Sequence, residues 1–161
     1  MHCTTTTMFV RTDKWNITTF IQLIFPPSED ELVLAGAPEH RFKHVQLERY
    51  GPCRYLLPYQ EPAVQAAIRL AKFHAHRHAQ GALAEALATI VSKHYTKHLF
   101  VPIPLSGVRE RKRGYNQVTE VLRRAGQHAP ALTCEPRLLR RTRHTTPQTK
   151  LTKEDRLKNM E

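Results

Sequence analysis

The chain has 161 residues, a charged fraction of 24% and a formal charge of +11 at pH 7. This length suits one domain with a hydrophobic core, and no stretch approaches the roughly 20 apolar residues that a membrane helix needs. Because the first residues also lack the basic-then-apolar order of a secretory signal, we expect a globular, cytoplasmic protein without a membrane segment.

The first part of the chain divides at prolines. Residues 18–25 have the pattern of a short amphipathic helix that stops at Pro26 and Pro27, and Ser28 is a suitable N-cap for a second short helix with an acidic first turn. Residues 37–62 alternate short apolar runs with Gly and Pro, which suggests small strands or a loop-rich cap.

From Pro62 onward the apolar residues recur with a helical period. A first helix is predicted by the positions of Val64, Ala67, Ile68 and Ala71. A second helix, after a break near Gly81, is predicted by Leu83, Leu87, Ile90 and Val91.

The segment between these two helices carries a Lys-Phe pair and three histidines. We predict that Phe73 packs in the core, whereas Lys72 either lies in solvent or faces a ligand. The histidines His74, His76 and His78 would fan out over about 200 degrees of a helix, so one shared metal ion is not expected.

The next segment predicts a strand, a helix and a second strand. Residues 99–105 form a nearly continuous apolar run, which is typical of an interior strand of a parallel sheet. A helix over 116–125 is expected to pack through Val118, Val121 and Leu122, and residues 131–139 contain the next strand candidate. In such βαβ units ligands bind beyond the carboxyl ends of the strands, where residues 106–114 lie.

Residues 106–114 concentrate positive charge at this point. Residues 1–105 carry 11 Lys and Arg against 8 Asp and Glu, whereas residues 106–161 carry 14 against 6. A loop with small residues, cations and a following helix start would suit phosphate or pyrophosphate, although a solvated basic turn explains the charge equally well. The candidate pyrophosphate-binding residues are Ser106, Gly107, Arg109, Arg111, Lys112, Arg113 and Gly114. Tyr115 is expected to pack beside this loop.

A second basic stretch, residues 140–160, is rich in Thr and interrupted by Pro147. It predicts a mobile loop that leads into a helix starting near Thr152. Two basic loops at the ends of successive strands would face one crevice, so this loop is expected to close over a ligand held by the other.

Three ordered blocks of the sequence resemble the ComF family of phosphoribosyltransferase-like proteins, which are linked to bacterial competence for DNA uptake. The blocks are LLPYQEPAVQAAIRLAKF, VPIPLSGVRERKRGYNQVTEVLRRAG and LLRRTRHTTPQTKLTKEDRLKN, and together they cover roughly residues 55–161. The most specific elements are the Arg-Gly-aromatic-Asn-Gln turn and a later pattern carried by Thr145, Gln148, Leu151, Arg156 and Asn159.

The resemblance implies an α/β fold of the type I phosphoribosyltransferase kind, in which helices flank a parallel sheet and residues 1–54 form a small N-terminal helical cap. Residues 55–161 would be the phosphoribosyltransferase-like domain, incomplete at its C-terminus. The resemblance to the ComF family further implies that the ligand is phosphoribosyl pyrophosphate or pyrophosphate and that Mg²⁺ is the cofactor. The flexible loop over the site would be formed by Arg143, Thr145, Gln148, Lys150, Arg156 and Asn159.

The sequence departs from this family in two places. Many members begin with a four-cysteine zinc finger, whereas the three cysteines here are scattered at Cys3, Cys53 and Cys134, so no protein-bound zinc is expected. The strand with paired acidic residues that would hold the ribose hydroxyls does not occur before Glu161. We therefore expect half an active site, inactive by itself: a fragment, a truncated gene product, or a protein that works only as an oligomer or when another chain completes it.

Two functions follow from these observations. The first is a phosphoribosyltransferase-like protein whose basic loops recognise a small phosphorylated ligand. The second is an accessory protein of DNA uptake that binds single-stranded DNA in the same basic crevice. The response to salt separates them, because a protein that contacts several DNA phosphates loses affinity steeply as salt increases.

Overall fold

The computed structural model describes residues 26–143 and 151–158, with side chains up to residue 156. Seven helices and four short strands lie in this part of the chain. In chain order they are α1 (Glu29–Ala35), α2 (His40–Lys43), β1 (Glu48–Tyr50), β2 (Cys53–Tyr55), α3 (Pro62–Phe73), α4 (Arg77–His94), β3 (Leu99–Phe100), α5 (Gly107–Arg113), α6 (Gln117–His128), β4 (Thr133–Cys134) and α7 (Lys153–Lys158). The protein is thus a mixed α/β structure dominated by helices. The helix expected over residues 18–25 lies outside the described residues.

The small elements before α3 agree with the sequence prediction. Ser28 caps α1 through a reciprocal pair of hydrogen bonds: its Oγ accepts from the Glu31 N–H at 3.4 Å, and its own N–H donates to the Glu31 carboxylate at 2.7 Å. Strands β1 and β2 form an antiparallel hairpin in which Glu48 lies opposite Tyr55. The predicted N-cap and the predicted small strands are both confirmed.

The long helices α3 and α4 form the centre of the molecule. Val64, Ala67 and Ala71 of α3 are buried, and so are Ile90 and Val91 of α4. Leu34 of α1 and Phe42 of α2 belong to the same core cluster as the buried face of α3. The helical period read from the sequence is therefore confirmed for both helices.

The break between α3 and α4 lies at residues 74–76, so the prediction of a break near Gly81 is wrong. Ala75 has a φ of 52°, and His76 caps α4 by accepting a hydrogen bond from the Ala79 N–H at its Nδ1 atom (3.3 Å). Gly81 lies inside α4 because its neighbours Ala79 and Ala82 are buried, and their packing outweighs the cost of about 1 kcal/mol that Gly imposes on a helix.

Strands β3 and β4 are parallel, with Leu99 opposite Thr133 and Phe100 opposite Cys134. Helices α5 and α6 connect them, so the predicted strand-helix-strand unit with parallel strands is present. The predicted interior strand over 99–105 is wrong, because β3 has two residues and lies in a two-stranded sheet, with 51% of Leu99 and 72% of Ile103 exposed. Pro102 and Pro104 explain the short strand, since proline has no N–H to donate to a sheet.

Helix α6 packs on α4 through small residues. Ala84 and Ala88 of α4 form one buried cluster with Ala125 and with Ala129, which directly follows α6. Leu122 is buried and Val121 packs against this cluster, as predicted, whereas Val118 is 41% exposed. The prediction for Val118 is wrong because the buried contact lies toward the C-terminal end of α6 and Val118 is in its first turn.

Carboxylates at the start of α1 make folding sensitive to acid. The Arg69 guanidinium donates to Asp30 and holds the pKa of that carboxyl below its usual range, and hydrogen bonds from Ser28 lower the pKa of Glu31. A lowered pKa in the folded state means that the unfolded chain binds protons more readily, so this stability is present near neutral pH and is lost below about pH 4.

We expect Asp30→Asn to have a lower melting temperature than the wild type at pH 7. Its melting temperature should also decrease less between pH 7 and pH 3. Glu110→Gln is the control, because Glu110 is exposed and forms no ion pair among the described side chains. Thermal unfolding followed by circular dichroism measures the melting temperatures of both variants and of the wild type at each pH. Equal pH dependence in Asp30→Asn and the wild type would contradict this account.

Candidate anion-binding site

The basic segment, residues 106–114, is a short helix and not the open loop expected from the sequence. Buried Ser106 precedes α5, and Gly114 ends it with a φ of 81°, its N–H donating to the Glu110 carbonyl at 2.7 Å. Between the two glycines the sequence holds Arg, Glu and Lys, which favour helices. The Glu110 N–H is bonded to the Ser106 carbonyl (2.9 Å) and the Gly114 N–H to the Glu110 carbonyl, so neither of these two N–H groups is available to a ligand.

The cations of the basic segment differ in their surroundings. Arg111 and Lys112 are exposed and take part in none of the ion pairs or side-chain hydrogen bonds of the described residues. Arg113 is half-buried, and its Nη1 donates to Oε1 of Gln117 in α6 at 2.6 Å. Arg111 and Lys112 are therefore the cations of this segment that can meet a ligand without giving up an existing contact.

The C-terminal end of α3 lies against the basic segment. Phe73 is 60% exposed, its ring centroid 5.0 Å from Nζ of Lys72 and 5.7 Å from Cζ of Arg113. The prediction that Phe73 is a core residue is wrong, because it follows the buried positions Leu70 and Ala71 on the outer side of the last turn. Lys72 is thus brought to the side of α3 that meets the basic segment.

The two residues that follow Gly114, Tyr115 and Asn116, connect the basic segment to its neighbouring elements. Tyr115 donates its hydroxyl hydrogen to the Ala71 carbonyl at 2.6 Å and accepts a hydrogen bond from the Ala75 N–H at 2.9 Å. Asn116 caps α6 by accepting from the Val118 N–H at 3.0 Å, and its amide donates to the Ile103 carbonyl at 2.9 Å. The packing of Tyr115 beside the basic segment agrees with the prediction. The double role of Asn116 was not predicted, although an Asn directly before a helical period was the available signal.

The second group of predicted site residues lies mostly outside the described residues. This holds for Thr145, Gln148, Lys150 and Asn159. Arg143 and Arg156 are described and exposed, and helix α7 begins after Thr152, whose Oγ1 accepts a hydrogen bond from the Asp155 N–H at 3.2 Å. The predicted helix start is confirmed, and closure of this segment over the basic segment stays a prediction.

The described residues do not supply a resident metal site. No group of three or more His, Cys, Asp or Glu side chains in residues 26–143 and 151–156 could hold a metal ion. Mg²⁺ is usually bound by one or two carboxylates together with substrate phosphates, and Glu110 is the single carboxylate of the basic segment. Binding of Mg²⁺ together with a phosphorylated ligand therefore stays a prediction. His76, one of the three clustered histidines, serves as the cap of α4.

A separate cleft lies between the β1–β2 hairpin and α4. It has a volume of about 550 Å³, and Arg49, Arg54 and Lys93 are among the residues that line it. Arg49 and Arg54 lie about forty residues before Lys93 in the chain, so these cations meet only through the packing of the hairpin. This second basic surface provides a comparison for the basic segment.

The fold and the site define a helix-rich α/β protein in which a basic helix follows the first of two parallel strands. No family model, curated protein or solved structure matches the chain. In the part of the chain that the structure describes, none of the helices has the length and apolar character needed to cross a membrane.

Proposed function

We propose that the chain is a phosphoribosyltransferase-like protein of the ComF type that recognises phosphoribosyl pyrophosphate or pyrophosphate through the basic segment. The observation that carries this proposal is the position of Arg111 and Lys112. Both are exposed on α5 and form no ion pair with the described side chains, and α5 follows the carboxyl end of parallel strand β3 and precedes the crossover helix α6. Ligands of α/β proteins bind beyond the carboxyl ends of parallel strands.

The chemistry of such a ligand matches the charge of this helix. In phosphoribosyl transfer, negative charge accumulates on the leaving pyrophosphate, and catalysis comes mainly from positioning and charge stabilisation. Arg111 can donate a planar pair of hydrogen bonds to a phosphate, and Lys112 adds a point charge. The described residues support binding of the pyrophosphate part of the ligand, so binding is the property that we propose for them.

A second candidate function is binding of single-stranded nucleic acid. It is favoured by the excess of Lys and Arg in residues 106–161 and by the exposed aromatic ring of Phe73 beside this charge. Basic surfaces with exposed aromatic side chains bind single strands through the backbone and through base stacking. Both functions would use the basic segment, and they differ in the number of phosphates that it contacts.

We expect pyrophosphate to bind with a dissociation constant in the high micromolar range or weaker, since about 1 mM corresponds to only about 4 kcal/mol. A ten-nucleotide thymidine strand should bind no more tightly than pyrophosphate. Calorimetric titration at two salt concentrations measures both ligands. Tight binding of the strand that weakens steeply with salt, with no heat from pyrophosphate, would support the nucleic-acid function instead. No binding of either ligand would contradict both.

A further inference from the structure

The surroundings of Phe73 distinguish it from an ordinary exposed apolar residue. Single exposed apolar side chains are common on protein surfaces and need no function. The Phe73 ring, however, has two cations close to it, with Nζ of Lys72 at 5.0 Å and Cζ of Arg113 at 5.7 Å from the ring centroid. Both cations lie over the ring, so this part of the surface combines an exposed aromatic group, on which bases stack, with positive charge that attracts phosphate.

Hydrogen bonds hold the backbone on either side of Phe73 and the guanidinium of Arg113. Tyr115 bonds to the backbone of Ala71 and Ala75, which lie two residues before and after Phe73. Arg113 is held at the 2.6 Å bond to Gln117. The Arg113 guanidinium and the backbone around Phe73 are therefore ordered before a ligand binds, which reduces the entropy lost on binding.

We propose that Phe73 and Arg113 form a stacking subsite for the base of a nucleotide whose phosphates are bound by the neighbouring lysines, Lys112 and Lys72. Nucleobases stack on aromatic side chains and on arginine planes. Lys112 precedes Arg113 and Lys72 precedes Phe73, so each stacking group has a cation next to it in the chain. The inference rests on the proposed function, because it assigns the phosphates of the ligand to the same basic surface.

The exposure of the participating groups supports this ligand over one that is only apolar or only anionic. Phe73 keeps 60% of its surface accessible, so a base can reach it without unfolding α3. Lys112 is exposed and forms no ion pair among the described side chains, so its ammonium group can meet a phosphate. A free pyrophosphate would use the cations and leave the ring uncovered, whereas a nucleotide would use both.

The test compares ADP with pyrophosphate by calorimetric titration of the wild type, Phe73→Leu and Tyr50→Leu. Leucine keeps an apolar side chain but removes the aromatic face, and Tyr50, which is 81% exposed in the hairpin, is the matched control. We expect the wild type to bind ADP more tightly than pyrophosphate by about 5-fold to 150-fold, the range that stacking of one base gives. Phe73→Leu should lose this advantage with pyrophosphate binding unchanged, and Tyr50→Leu should keep it. Arg113→Lys, which keeps the charge without the plane, should also lose part of it.

The outcomes separate this inference from the proposed function. If pyrophosphate binds but ADP binds no more tightly, or if Phe73→Leu leaves ADP binding unchanged, the stacking subsite is wrong and the pyrophosphate site stands. If ADP binding depends on Phe73 while pyrophosphate does not bind, the subsite stands and the proposed function fails. A ten-nucleotide thymidine strand whose binding depends on Phe73, together with ADP binding that does not, would overturn the mononucleotide as the ligand.

Discussion

Replacement of Val91 by Asp is expected to unfold the protein or to make it aggregate. Val91 is fully buried in α4 and belongs to the cluster that joins α4 to α6 and to Phe100 of β3. An unpaired carboxylate at this position costs several kcal/mol, which is a large part of the roughly 5 to 15 kcal/mol that stabilises a domain. Because the same cluster positions the β3 end from which the basic segment starts, ligand binding should be lost as well.

Val118→Asp is the matched control for this prediction. Val118 is 41% exposed in the first turn of α6, where a negative charge interacts favourably with the helix dipole. Thermal unfolding followed by circular dichroism should therefore give a melting temperature close to that of the wild type. Similar melting temperatures for Val91→Asp and Val118→Asp would show that the α4–α6 contact is not the one described.

Replacement of Gly114 by Ala and of Gly81 by Ala should have opposite effects on the free energy of unfolding. Gly114 has a φ of 81°, a left-handed conformation that costs other residues roughly 1 to 2 kcal/mol. Gly81 lies in α4 with nothing within 4 Å of an added Cβ atom, so Ala should stabilise the helix by about 0.5 to 1 kcal/mol. Gly114→Ala should also weaken pyrophosphate binding, because Gly114 ends the helix that carries the cations.

Chemical unfolding in urea measures both glycine variants against the wild type. The expected order of midpoints is Gly81→Ala, wild type, Gly114→Ala. A higher midpoint for Gly114→Ala than for the wild type would mean that α5 does not end at a left-handed residue.

Local signals in the sequence predicted the helices well. The apolar period predicted α3 and the part of α4 after Gly81, and the polar residues Ser28 and Thr152 predicted the starts of α1 and α7. These features depend on neighbours within one or two turns, so the sequence contains the information directly. The parallel relation of β3 and β4 was also predictable, because a helix between two apolar runs favours it.

Features set by distant contacts were not predictable in the same way. Phe73 and Val118 fit the apolar faces of their helices, but their exposure depends on which element covers each turn, and the sequence does not contain that information locally. The packing of Tyr115 beside the basic segment was predicted, but its partners Ala71 and Ala75 were not, because they are about forty residues away in the chain. The helix in the basic segment was missed because charge repulsion and the flanking glycines favoured a loop, whereas helix propensity decided the conformation.

The most direct test of the proposed pyrophosphate site compares two double variants that each remove two positive charges. Arg111→Ala/Lys112→Ala changes the basic segment, and Arg49→Ala/Lys93→Ala changes the cleft beside the hairpin. Both variants alter the net charge equally, so a general electrostatic effect would be the same in each. In a calorimetric titration with pyrophosphate, Arg111→Ala/Lys112→Ala should lose at least about tenfold in affinity, because charge-assisted hydrogen bonds contribute roughly 1.5 to 3 kcal/mol each. Arg49→Ala/Lys93→Ala should bind like the wild type. Equal losses in the two variants, or a loss only in Arg49→Ala/Lys93→Ala, would contradict a pyrophosphate site on the basic segment.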